Sequence, residues 1–192
     1  MSAPPAPPRP PLAWHPRTDG DQPDHARFQR PECADYEVRT QHGLWTSPMT
    51  GARQSIWSIY HDENHIDAQL VRQGWAVQWP DPARTATITT HDDLIALVHA
   101  YPCTRHRSLN VLITLTGAPF DEWPLHDDML SPPLDFQAMA ADFDAVHLTE
   151  AGRRATCETL PGTAHWSVET VLWLNPVWRV LHPITTVPAP RA

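Results

Sequence analysis

The stretch HWSVETVLWLNP, residues 165 to 176, holds a single carboxylate within a largely apolar run. Its β-branched and aromatic content predicts a strand ended by Asn175-Pro176. Alternation puts Ser167, Glu169, Val171 and Trp173 on one face and Trp166, Val168, Thr170, Leu172 and Leu174 on the other. A glutamate that shares a face with Val and Trp must be solvated at a sheet edge, paired, or there for chemistry. The chemistry open to it is stabilisation of positive charge that develops in a transition state. Arg39, Thr46 and Ser47 complete a first candidate set. The guanidinium fork donates bidentately, and two hydroxyls stand within GLWTSP. A surface pairing of Arg39 with Asp35 or Glu37 is the simpler alternative and contributes little.

A second cluster is YHDENHID, residues 60 to 67, where His61 and His65 are spaced i, i+4. On a helix the two imidazoles share a face, with Asp62, Glu63 and Asp67 nearby as oxygen ligands for a metal. Twelve histidines in the chain make chance pairs common, and polar residues collect at a helix end in any case. The tripeptide His-Asp-Asp occurs twice, at 91 to 93 and 126 to 128. The first opens a predicted helix, where aspartates complement the dipole and cap the first turn. The second lies in the Pro-rich loop 118 to 134, which suits a lid or a partner surface.

Composition narrows the classes. The 192 residues allow one domain with a real core. All 14 basic residues are Arg, and 22 acidic residues bring the formal net charge to −8. No basic stripe is present, so sequence-independent phosphate binding is disfavoured. Cys33, Cys103 and Cys157 are scattered and odd in number, which argues for a reducing compartment and against a disulfide framework or a Cys-rich zinc site. The N-terminus lacks the apolar core of a secretory signal, and the longest apolar runs are too short to span a bilayer. A soluble, cytoplasmic protein is expected. No GxGxxG, GxxxxGK[ST], GxSxG or HExxH is found, so dinucleotide folds, P-loop enzymes, serine hydrolases and common zinc proteases lose support.

The elements that must position these residues follow from periodicity. Residues 1 to 31 form a Pro-rich arm, read as a flexible tail or as a docking arm that wraps a partner or the domain itself. Residues 32 to 182 form the domain, and 183 to 192 a short tail. Strands are expected at 35–40, 43–48, 75–79, 83–90, 108–117, 144–149 and 167–175. Helices are expected at 52–64, from Asp92 to before Pro102, and at 134–143. That order predicts an α+β fold rather than a regular βαβ winding.

Arg39 near the end of an early strand, GLWTSPMTGARQSIW, and DFDAVHLT followed by SVETVLWLNP together resemble the ADP-ribosyltransferase-like superfamily of bacterial toxins and related enzymes. The middle stretch is similar to that family's "Gly, aromatic, hydroxyl" strand leading into a helix. GLWTSP and the W-x-x-E-[ST] strand also resemble uncharacterised actinobacterial and phage proteins. The resemblance spans roughly residues 35 to 176 and implies a single domain with a mixed, mostly antiparallel split sheet and flanking helices. It implies NAD as substrate, with transfer of ADP-ribose to an acceptor in a toxin or phage–host conflict setting. Glu169 then stabilises the oxocarbenium-like ribose and binds its hydroxyl, and Arg39 holds the pyrophosphate or adenosine ribose. Thr46 and Ser47 order the pocket, and Trp45 or Tyr60 stacks on nicotinamide. Ser167 stands where arginine-modifying members carry a second glutamate, so an arginine acceptor is disfavoured. The opposing expectation is a non-enzymatic phage or mobile-element protein that binds a protein partner through its Pro-rich arm. A metal-dependent hydrolase built on His61 and His65 is the third.

Overall fold

The computed structural model describes residues 12–16, 22–31, 42–51, 54–63, 73–102, 134–157 and 168–186. Its strands are β1 (Leu12–Pro16), β2 (Leu44–Gly51), β3 (Gln54–Ser55), β4 (Gln73–Gln78), β5 (Thr85–Ile88), β6 (Ala145–Leu148), β7 (Thr170–Trp173) and β8 (Arg179–Thr185). Its helices are α1 (Ile56–Glu63), α2 (His91–Ala100), α3 (Phe136–Met139) and α4 (Glu150–Cys157), with a 3-10 turn at His25–Arg27. The strands join in the order β5-β6-β7-β2-β1-β4-β8, with β3 paired to β2. Among the described pairings only β5–β6 is parallel. A parallel pair needs a long crossover, and α2 and α3 lie within the one between β5 and β6. The fold is α+β with a mostly antiparallel open sheet.

Strand β2 serves two neighbours. Residues Leu44, Trp45 and Thr46 pair with Trp173, Leu172 and Val171 of β7, whereas Ser47 and Pro48 pair with Trp14 and Ala13 of β1. It begins at Gly43, whose φ of 87° is in the left-handed region that favours glycine. A Cβ there would meet Leu172 Cδ1 at 2.7 Å.

The centre of the sheet is covered on both faces. Every residue of β6 and β7 is buried. Leu172 and Leu174 join Val146, Leu148, Leu94, Val98, Phe136 and Met139 on one side. Val171 and Trp173 join Ala145, Val77, Trp79 and Trp178 on the other. Full burial of one such side chain contributes about 1.5–3 kcal/mol, so these layers dominate stability. The alternation expected for residues 171 to 174 is what separates the two clusters. Their burial on both sides explains why that segment reads as a near-continuous apolar run.

Polar residues pin the strand ends. Asp144, just before β6, accepts hydrogen bonds from the Arg84 backbone N–H at 2.9 Å and from Arg84 Nη2 at 3.1 Å. Asn175, just after β7, donates to the carbonyls of Ala140 and Phe143 at 2.8 and 3.1 Å. The first His-Asp-Asp is a helix cap. Thr90 is the N-cap, its hydroxyl accepting from the Asp93 N–H at 3.2 Å while Asp93 Oδ2 accepts from the Thr90 N–H at 2.8 Å.

Several expectations change. Of the readings of the arm, Leu12–Pro16 follows docking on the domain itself rather than a flexible tail: it pairs with β2 on one side and β4 on the other, near the middle of the sheet. Residues 22–31 also belong to the body, with His25 and Phe28 against Trp178. The described parts of the arm thus belong to the domain, and the boundary at 182/183 falls inside β8. The helix expected over 134–143 is one turn long, and α4 and β8 were not anticipated. The strands expected at 35–40 and 108–117 lie outside the described residues, as does the second His-Asp-Asp.

Candidate active site

Glu169 immediately precedes β7. In the antiparallel β6–β7 pair His147 opposes Val171 and Leu148 opposes Thr170, which makes His147 and Glu169 diagonal neighbours. Alternation along each strand puts them on the face of Ala145, Val171 and Trp173. Their side chains meet: His147 Nε2 lies 2.8 Å from Glu169 Oε1, with side-chain exposures of 5% and 19%. The structure supplies this glutamate with a partner while leaving it partly exposed. With its proton on Nε2, the imidazole donates to the carboxylate. Glu169 Oε2 has no hydrogen bond among the described residues.

Aromatic rings back the pair. Trp79 contacts the His147 ring edge-on at a centroid distance of 5.7 Å and the Trp173 ring at 5.0 Å. Trp79 also lines a cleft of about 1050 Å³ between residues 22–27, the turn at Gln78–Asp81 and Val177–Val180. Glu169 does not line that cleft. The indole N–H groups of Trp79 and Trp178 are buried without a hydrogen-bond partner among the described residues.

Thr46 and Ser47 are fully buried, and their hydroxyls bond to the protein itself. Thr46 Oγ1 accepts the indole N–H of Trp173 at 3.1 Å, and Ser47 Oγ accepts the backbone N–H of Trp57 at 3.2 Å. The Trp57 indole in turn donates to Thr170 Oγ1 at 3.2 Å, one residue beyond Glu169. These hydroxyls tie β2 to β7 and to α1 from within the core; fully buried and engaged by the protein, they are structural and not open to a cofactor. Trp45 is half-buried between two of the hydrophobic clusters. Tyr60 is half-buried against the cluster of Trp57, Ala76, Val168 and Ile184.

Arg39 and Ser167 lie outside the described residues, as do His65 and the side chain of His61. Among the described residues no group of three or more His, Cys, Asp or Glu side chains is arranged to hold a metal ion, and no helix is long and apolar enough to cross a membrane. The residue missed from the sequence is His147. Its signal was a lone imidazole in DAVHLT, on the strand expected beside that of Glu169. No protein-family model matches the chain, and no curated protein or solved structure is significantly similar to it.

Proposed function

We propose that this chain transfers ADP-ribose from NAD to an acceptor, with Glu169 as the carboxylate that stabilises the reacting ribose. The observation that supports it is the setting of Glu169: a partly exposed carboxylate at the head of a central strand, one oxygen held by His147 at 2.8 Å. Such a group suits a glycosidic carbon. When the bond between nicotinamide N1 and ribose C1′ breaks, the electron pair leaves with the neutral nicotinamide. Positive charge then spreads over C1′ and the ring oxygen. A fixed carboxylate beside them lowers the barrier because it needs no reorganisation as the charge develops. The acceptor's lone pair then attacks C1′, and the acceptor's proton passes to solvent.

Arg39 for the pyrophosphate rests on the resemblance alone. Trp45 opposes Leu172, on the sheet face away from Glu169, and Tyr60 packs with Trp57 and Val168, so neither is placed to stack on a nicotinamide ring beside that carboxylate. With Ser167 in place of a second glutamate, the acceptors that fit are a nucleotide, a Ser or Thr hydroxyl, or a small molecule.

Release of labelled nicotinamide tests the reading. Wild type should release it, and Glu169→Gln should slow release by roughly 10²–10³-fold, the usual loss when one electrostatic stabiliser is removed. The melting temperature should stay close to wild type. Equal rates from both would take Glu169 out of the mechanism.

A further inference from the structure

We infer that His147 is the positioning residue for Glu169, an inference that rests on the transfer proposed above. A glutamate has three side-chain torsions, and one at the mouth of a strand samples several rotamers unless something holds it. Here one carboxylate oxygen is held by His147 Nε2 at 2.8 Å. The imidazole is itself fixed: it is buried within β6, its backbone is paired with Val171, and the Trp79 ring lies against it at 5.7 Å. The chain of restraint runs from Trp173 through Trp79 and His147 to Glu169 Oε1, and leaves Oε2 free of it for substrate in the proposed transfer. With 5% of its side chain exposed, His147 is too enclosed to reach an acceptor. Its contribution is made through Glu169, by keeping the carboxylate in one orientation before substrate arrives.

The distinguishing variants are His147→Phe, which keeps a ring but no donor, and His147→Gln, which restores an N–H at similar reach. His147→Phe should lower kcat for nicotinamide release about 10–100-fold with KM for NAD within about 2-fold, since orientation acts on the transition state more than on binding. His147→Gln should recover at least part of that loss. A role confined to stability would move the melting temperature but give no such split and no rescue.

A second measurement on the wild-type fold covers the case in which His147→Phe does not fold. Long-range ¹⁵N spectra should show a His147 Nε2 resonance that shifts in Glu169→Gln; an unchanged resonance would show that the two side chains do not interact in solution. An active wild type with an equally active His147→Phe overturns the positioning role and leaves the transfer reading standing. A wild type that releases no nicotinamide overturns the transfer reading, and the positioning role with it.

Discussion

Thr46 and Trp173 show how single side chains hold this site. The Trp173 indole N–H is fully buried and meets one acceptor, Thr46 Oγ1, at 3.1 Å. Removing that acceptor strands a donor in an apolar layer, which costs about 1–3 kcal/mol. Thr46→Val, nearly isosteric, should therefore destabilise the protein by that amount in urea unfolding. Thr46→Ser keeps the oxygen and should lose less. Equal losses from the two would assign the effect to packing rather than to the hydrogen bond. These residues also show what was legible at this scale. The hydroxyls of GLWTSP stood out as polar groups in a strand, but their partners did not, because Thr46 and Trp173 are 127 residues apart. His147 was harder. A lone polar residue in a short strand is unremarkable until the β6–β7 register sets it diagonal to Glu169, and register is a tertiary property.

At the scale of elements, β1 is the most consequential departure from the sequence reading. Its five residues, LAWHP, lie within a stretch whose proline content suggests an extended tail, and averaging over the stretch hides them. What makes them a strand is non-local pairing: Trp14 with Ser47 of β2, and Leu12 through Pro16 with Gln78 back to Gly74 of β4. A strand ordered by two neighbours more than thirty residues away leaves little local signature. Helix α2 is the opposite case. Thr90, Asp93, and Leu94 with Val98 state its cap and its buried face within ten residues, and the sequence sufficed. Deletion of residues 1 to 16 separates the two readings of the arm. Loss of β1 unpairs β2 from β4 and should remove the cooperative thermal transition or leave the protein insoluble. A truncated chain that melts like the full-length protein would show that β1 is dispensable.

At the scale of the whole molecule, the fold class was legible because the order of apolar runs is global and each run is strongly patterned. The acid response is also a global property, and its sign follows from three carboxylates. Burial pushes Asp144 up, but hydrogen bonds from the Arg84 side chain and backbone, the Arg84 charge and Asn175 outweigh it and hold the carboxyl below its ordinary range. Asp93 is likewise raised by burial and lowered further by the Thr89 and Thr90 backbone N–H groups and the Thr90 hydroxyl. Glu150 is lowered first by its bond to Arg153, against burial, and then by Arg154. A carboxyl whose folded pKa lies below its unfolded value stabilises the fold at any pH above the unfolded value. That contribution is lost as pH falls through the folded pKa, because the unfolded chain takes up the proton first. With unfolded carboxylates titrating near pH ~4, these three should leave the melting temperature flat from about pH 7 to 5 and lower it steadily below about 4. Asp144 is the most enclosed of the three by its partners, joining the starts of β5 and β6 to the end of β7. Asp144→Asn should therefore lower stability at neutral pH and flatten the acid limb relative to wild type. A melting temperature that rises on acidification, or an Asp144→Asn profile that parallels wild type throughout, would show that this pinned junction is not the origin of the acid sensitivity.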